Sequence, residues 1–500
     1  MPSAYAHLRF GWEVLSAIPA PYRAAAKNLT QLYNVGTQGP DPLFYYNPLV
    51  ENPVDKQGHH CHAMTGKAFF EAALVRYRAA PSEGAAAYLF GVLAHYCLDS
   101  HCHPLINAAT EEADLDHMEL ETEFDRFLLQ KDGKLPQIAP YGGVDFYMSF
   151  MDGSVGWSDV GVLIPYRFWK LYGDDCLIRR HYDGMVRYAK FMIKRCAKFT
   201  PLRHHLPLKG EAKKYIVNYG QSYGEWAEPE DVFPNDWKNT VLPHPEESTA
   251  YTVFIMNHMI EIAEYFGKQQ DKALFEKYRD GCTKAYRELI TLPGYTLDTD
   301  RQAKLVRPLY MHLLDKKQEA YAKHRLIQAM ENYRWRLGTG FLSTPFILDV
   351  LADIDIEYAY RLLENEEMPG WLFMPKNGAT TIWESWEGTK AQGGIASLNH
   401  YSKGAVCEWL FKTMCGIRVD EKNHFTIAPR PGGHFTHANA VYNSVYGRVE
   451  SGWKKQSAGY VFTVRIPCNT TAEIVLPNGS RKQVSAGEYQ FTEEDLYETE

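Results

Sequence analysis

The apolar residues of this chain recur with a helical period along most of its length, a pattern that is interrupted once and then changes to a period of two. The segments AAYLFGVLAHYCLDS (86–100) and HMELETEFDRFLLQ (117–130) carry apolar residues at i, i+3, i+4 and i+7, the spacing that gives a helix one apolar face. Loops rich in Gly, Pro and Asn are expected between them. Asp132-Gly133-Lys134-Leu135-Pro136 then breaks the pattern, because Gly ends a helix and Pro cannot continue one. The helical rhythm resumes from 138 to 415 in about ten segments, among them 158–173, 246–267, 271–290 and 317–333, a spacing suited to packed helical hairpins. After Gly416 the period is two, in HFTIAPRP, GRVESGWKK, YVFTVRIP, TAEIVLPNG and EYQFT. With the turn Pro477-Asn478-Gly479, this predicts a small antiparallel β-sandwich.

Those breaks predict a mainly α, multidomain protein with three parts: a small all-α domain over 1–131, a helical domain over 132–415 and the β-sandwich over 416–500. A chain of 500 residues exceeds one core in any case. A net charge of −8 and no clustered basic surface exclude a nucleic-acid partner. The N-terminus MPSAYAHLRFGWEVL has no basic region leading into an apolar stretch, and no run long enough for a transmembrane helix occurs. A cytoplasmic protein is therefore expected. Nine cysteines without a CxxC pair fit reduced thiols, and Cys61 and Cys102 are read as thiols, not ligands.

Histidine is crowded at the front. His7, His59, His60, His62, His95, His101, His103 and His117 all fall in the first 121 residues, out of 19 in the chain. The pairs His95/Asp99 and His117/Glu121 each put imidazole and carboxylate on one helix face, within reach of one cation. Two such pairs are no more than this composition yields by chance. Solvated surface histidines are therefore the alternative, and order and crowding carry the metal reading.

That order, a lone His, then GPD in a loop, GHHCH, HYCLDSHCHP and HMELE, resembles the bacterial zinc-dependent phospholipase C family over residues 1–131. The resemblance implies a helical fold binding up to three zinc ions through His7, Asp41, His62, His95, Asp99, His103, His117 and Glu121. Asp41 is then the residue that orients an attacking water. The choice between His101 and His103, and among His59, His60 and His62, is open in the sequence. The chain departs from the secreted members, which use an amino-terminal Trp as a ligand.

The second half contains GWSD (156–159), YGEW (223–226), GTGFLSTPF (338–346), TTIWESWEG (380–388) and SLNHYSKGAVCEWL (397–410). This set is similar to the α-L-rhamnosidases of glycoside hydrolase family 78 from about residue 133 to 490. The resemblance implies an (α/α)6 barrel lacking its first helices, then a β-sandwich, and inverting glycoside hydrolysis without a cofactor. In such hydrolysis two carboxyl groups stand roughly 6.5–9.5 Å apart to admit a water. Glu384 matches the general base, and Asp159 and Glu225 are the other candidate catalytic carboxylates, with Glu225 standing where Asp is commoner. Trp157, Trp226, Trp383, Trp386 and His400 are the candidate rhamnose contacts. Trp383 and Trp386 read equally as barrel core, His400 as a helix N-terminal donor and Glu408 as structural. The family's general acid lies in a segment that nothing between residues 1 and 155 resembles.

Three functions follow from these resemblances: a rhamnosidase acting on a rhamnose-containing glycoside, a zinc phosphodiesterase acting on a phosphoester, and a rhamnose-binding or inert fusion joined at similar DGK-x-P segments. A barrel lacking helices also predicts apolar flanks left exposed unless the N-terminal domain or another subunit of an oligomer covers them.

Overall fold

A computed structural model describes residues 4–45, 52–113, 117–133, 155–198, 206–208, 210–234, 242–394, 396–421, 423–457 and 459–492. The chain divides into two compact units, Met1–Ser149 and Phe150–Glu500. No described helix is long and apolar enough to cross a membrane.

The first unit contains α1 (Ala4–Ala17), α2 (Ala20–Asn28), α3 (Thr30–Gly36), a 3-10 turn (Asp41–Tyr45), α4 (Pro53–Ala63), α5 (Gly66–Ala79), α6 (Glu83–Ala113) and α7 (His117–Lys131). Helices α1, α2, α3, α5 and α7 pack against α6. A Cβ on Gly36 would lie 2.2 Å from Tyr88 O, and one on Gly91 2.3 Å from Tyr33 O. The crossing of α3 and α6 therefore requires both glycines. At the start of α1, Asp125 of α7 accepts from Tyr5 N at 2.8 Å and Ala6 N at 2.7 Å, so a distant carboxylate caps amides that have no partner within their own helix. The sequence pattern ends one helix at Ser100, but α6 continues to Ala113 with Pro104 inside it. A proline costs a helix one i−4 hydrogen bond without always ending it. The continuation keeps His103 on the face that carries His95 and Asp99.

In the second unit the helices are α8 (Val160–Tyr172), α9 (Cys176–Arg195), α10 (Pro245–Tyr265), α11 (Gln269–Leu289), α12 (Ala303–Tyr310), α13 (Lys316–Asn332), α14 (Thr344–Ile354) and α15 (Ile356–Leu363), followed by the short α16 (Phe373–Lys376) and α17 (Val406–Trp409). Successive helices pack in pairs, α8 with α9, α10 with α11, α12 with α13 and α14 with α15, as the helical-hairpin pattern predicts. Asp315 opens α13 with a capping box closed by Gln318, and Gly173 ends α8 in the left-handed region. On α8, Val160 and Ile164 are 50% and 58% exposed.

After Gly416, β1 (Ile417–Glu421), β2 (His424–Ile427), β3 (His437–Ser444), β4 (Gly447–Gln456), β5 (Gly459–Ile466), β6 (Thr471–Val475), β7 (Arg481–Val484) and β8 (Gly487–Thr492) form two four-stranded sheets, ordered β1-β2-β6-β7 and β3-β4-β5-β8. The pairing is antiparallel as expected in β1–β2, β6–β7 and the whole second sheet. β2 and β6 run parallel, because the chain visits the other sheet between them, and alternation does not encode a partner's direction. The turn at Pro477-Asn478-Gly479 joins β6 to β7, with Gly479 at φ 88°. Trp453 Nε1 donates to Met414 O at 2.9 Å and Ser451 Oγ to Cys415 O at 2.5 Å, so the sheets are tied to the end of the helical part.

Candidate functional sites

In the first unit α1, the 3-10 turn, α4, α6 and α7 bring their polar side chains to one point. Asp99 stands at its centre. Its Oδ1 is 3.3 Å from His7 Nε2 and 3.5 Å from His103 Nε2, and its Oδ2 is 3.1 Å from His95 Nε2. Asp41 lies 3.1 Å from His62 Nε2 and 3.9 Å from His95 Nε2, and Glu121 lies 3.8 Å from His103 Nε2. The rings of His7 and His95 stack 4.2 Å apart. A Cβ on Gly39, at φ 54°, would lie 2.2 Å from the His95 ring, so the glycine admits that imidazole.

Two triads, His7/His95/Asp99 and Asp41/His62/His95, hold their donor atoms within 4.8 Å of one another. His95 Nδ1 faces Thr37 O at 3.3 Å and His62 Nδ1 faces Gly58 O at 3.0 Å. Backbone carbonyls thereby anchor one ring nitrogen and leave Nε2 as the metal donor, the usual support of a ligating histidine. Nε2 of His7 and of His95, with one oxygen each of Asp41 and Asp99, are buried without a well-aligned hydrogen bond among the described residues. Buried polar atoms normally have partners, and a cation among imidazole and carboxylate donors would satisfy these. The donor set fits zinc. Burial pushes the Asp99 carboxyl up, but His7 and His95 outweigh it and hold it well below the usual range. The bond to Asp41 raises the His62 imidazole above its ordinary value against burial.

Of the histidines that the sequence leaves open, His62 and His103 lie within the cluster. His59, His60 and His101 are exposed, and His101 Nδ1 lies 2.8 Å from Cys97 O on its own helix. Cys61 and Cys102 belong to neither triad. The side chain of His117 lies outside the described residues. Beside the cluster is a cavity of about 400–450 Å³, lined by His62, Asp99 and His103 on one side and by Phe69, Phe70 and Val92 on another.

The second unit assembles a different site, of aromatic rings around one carboxylate. Trp226 Nε1 donates to Glu384 Oε1 at 3.0 Å, and Ser397 N donates to Glu384 Oε2 at 2.9 Å. Glu384 N also donates to Ser397 O and His400 N to Ile382 O, clamping the two motif loops side by side. Trp157 packs on Tyr223 at 4.8 Å and lies stacked near Phe341 at 6.2 Å, and Phe341 packs on His400 at 4.9 Å. Trp157, Trp226, Glu384 and His400 are all partly exposed.

Other predicted members lie elsewhere. Asp159 is buried, accepting from Gly156 N at 2.7 Å and from the Tyr188 hydroxyl. Burial raises its carboxyl to about 6, against those two donors. Both oxygens of Glu225 are filled: Oε1 accepts from Gly340 N and Ser343 N, and Oε2 from Ser343 Oγ and Arg307 Nη2. Trp386 is 1% exposed and donates to Thr339 O at 2.9 Å, so it presents no face to a ligand. Its core alternative is the one realised. Trp383 is partly exposed, with the backbone of Gly388 against its ring.

The sequence reading missed a buried charged layer behind these loops. Arg307 pairs with Glu225 and Glu246, and Arg301 with Glu228. Lys403, fully buried, donates to Ala227 O at 3.1 Å and lies 4.1 Å above the Trp386 ring. Burial pulls its ammonium down to about 7. The adjacent Glu246 and Glu247 at the start of a strongly apolar helix were the available signal, since charge inside such a segment needs a buried partner.

Known families match these two constellations. Residues 116–414 match the bacterial alpha-L-rhamnosidase 6 hairpin glycosidase domain and 423–491 the bacterial alpha-L-rhamnosidase C-terminal domain. Residues 6–173 match zinc dependent phospholipase C. An alpha-L-rhamnosidase of Formosa agariphila is 30% identical over 364 residues, covering 70% of this chain and 37% of the relative. One of Streptomyces avermitilis is 29% identical over 69% of this chain and 31% of the relative. The structure of the Streptomyces avermitilis alpha-L-rhamnosidase complexed with L-rhamnose superposes with a TM-score of 0.56 at 28% identity, over 68% of this chain and 33% of that one. That from Dictyoglumus thermophilum gives 0.57 at 25% identity, over 67% and 39%. The chain thus spans about a third of the length of these relatives. With one domain match covering more than half of its residues and a second covering its β-sandwich, the chain belongs to the bacterial alpha-L-rhamnosidase family.

Proposed function

We propose that the second unit binds and hydrolyses an α-L-rhamnoside, with Glu384 as the general base of an inverting reaction. The observation that carries this reading is the Glu384 carboxylate held by Trp226 Nε1 and Ser397 N within a partly exposed aromatic shell. The two donors fix its orientation. Trp157, Trp226 and His400 supply faces and edges against which a pyranose packs, and a carboxylate so placed takes the proton of a water attacking the anomeric carbon. Asp159 and Glu225 act as positioning residues here. Asp159 fixes the turn that presents Trp157, and Glu225 joins the loop of Trp226 to that of Phe341. Both are buried, and all four of their oxygens already accept hydrogen bonds from the protein.

A 4-nitrophenyl α-L-rhamnoside, whose leaving group needs little protonation, is the substrate that tests this. Turnover is expected, falling at least ~10²-fold in Glu384→Gln. No turnover, or turnover that survives the substitution, would refute it.

A second reading rests on the buried donor cluster: the first unit holds up to three zinc ions and acts on a phosphoester. Zinc there would supply Lewis-acid activation of a water and neutralise charge on phosphate. His7, Asp41, His62, His95, Asp99, His103, His117 and Glu121 would hold the metal, and Asp41 would orient the water. Less than one zinc per chain in protein purified without added metal would sink this reading. The domain limits 1–131, 132–415 and 416–500 and a cytoplasmic location, suited to nine free thiols, belong to the same proposal.

A further inference from the structure

The aromatic shell continues past the proposed rhamnose site to the surface. Trp157 stacks near Phe341, Phe341 packs on His400, and His400 stacks on Tyr401 at 5.1 Å with only 11° between the planes. At the end of this series Tyr401 is 87% exposed, while the other exposed aromatic side chains among the described residues reach 55% at most. A side chain so exposed is normally mobile. This one is held flat against a ring whose backbone is tied to Ile382 O, two residues from Glu384. Its outer face is a solvent-facing ring surface next to His400, on a loop hydrogen-bonded to the loop of Glu384. Tyr presents such an area at low entropic cost, having two rotatable bonds to restrain.

We propose that Tyr401 is the leaving-group platform of this site, stacking on the aromatic or pyranose ring attached to rhamnose through the scissile oxygen. It thereby selects ring-bearing aglycones over alkyl ones. The assignment rests on the glycoside reading above and adds the class of aglycone to it. Tyr401 takes no part in proton transfer. Its effect is confined to ligands that reach beyond the rhamnose ring.

Calorimetric titration with two ligands separates this from the reading beneath it. L-rhamnose fills the sugar site alone, and phenyl 1-thio-α-L-rhamnoside, which resists hydrolysis, also reaches the platform. In Tyr401→Ala the thioglycoside should bind about threefold to tenfold more weakly, the range of a ring–ring contact, while L-rhamnose changes less than twofold. Tyr401→Phe, which keeps the ring, should restore the loss. Little packing is removed from so exposed a residue, so the fold is unaffected. Equal losses for both ligands, no loss for the thioglycoside, or no recovery with Phe would overturn the proposal while leaving the rhamnose site standing. Failure of the unsubstituted protein to bind L-rhamnose would overturn both.

Discussion

Trp226 donates its indole N–H to Glu384 Oε1 at 3.0 Å, across 158 residues of sequence. One of two donors to the proposed base therefore comes from a side chain that also offers a ring to the sugar. Trp226→Phe keeps a ring and removes the donor. We expect kcat/KM for 4-nitrophenyl α-L-rhamnoside to fall ~10- to 100-fold, the worth of a hydrogen bond to a charged group, with unfolding little changed. Unaltered kinetics would show that the indole N–H does not hold the base.

The loop carrying Phe341 meets the loop carrying Trp226 at Gly340. A Cβ there would lie 2.3 Å from Trp226 O and 2.4 Å from Glu225 O, both backbone atoms that cannot yield. Gly340→Ala should part the loops, breaking the Phe341 N to Trp226 O bond. The expected cost is ~1–3 kcal/mol in urea unfolding, with loss of L-rhamnose affinity. Retained affinity would mean that this contact does not set the site.

Asp159 predicts a pH dependence. Its carboxyl is raised from 3.8 to about 6 in the folded chain. Between those values the folded state holds a proton that the unfolded state has lost. Stability from this group is thus greatest below the lower value and falls as pH rises through 6, by about 3 kcal/mol. Asp159→Asn removes the dependence. Urea unfolding at pH 4 and pH 7.5 should show wild type losing about 2.4 kcal/mol more than the variant over that interval. Parallel losses would contradict it.

In the first unit Asp99 faces His7, His95 and His103 within 3.5 Å. Asp99→Ala should lower the zinc content found by elemental analysis by at least half and abolish the drop in melting temperature that a chelator causes in the wild type. Turnover of the rhamnoside should be unchanged. Wild-type zinc content in the variant would dissociate Asp99 from the metal.

Much of this was legible in sequence because both sites are built from motifs that are contiguous or repeat at helix spacing. His95, Asp99 and His103 fall four apart, and continuation of α6 through Pro104 made that spacing real where the proline suggested an end. Glu384 and its flanking Trp residues were visible together, yet their environments differ sharply. Trp383 is partly exposed and Trp386 is buried on Lys403, a division set by which side of an irregular loop faces the core. No period reports that. The surroundings of Glu225 were illegible for a related reason: its four donors come from residues 307, 340 and 343, contacts that exist only after the helical hairpins pack. β1, β3 and β7 lie outside the five alternating segments: β1 and β7 are only five and four residues long, and the burial pattern of β3 is irregular.

Titration of intrinsic tryptophan fluorescence with L-rhamnose asks whether the aromatic shell around Trp226 and Glu384 holds the sugar. A saturable change is expected in the wild type, weakened at least tenfold in Glu384→Gln and unaffected by Asp99→Ala. A response that never saturates, or one that Glu384→Gln leaves intact, would contradict it.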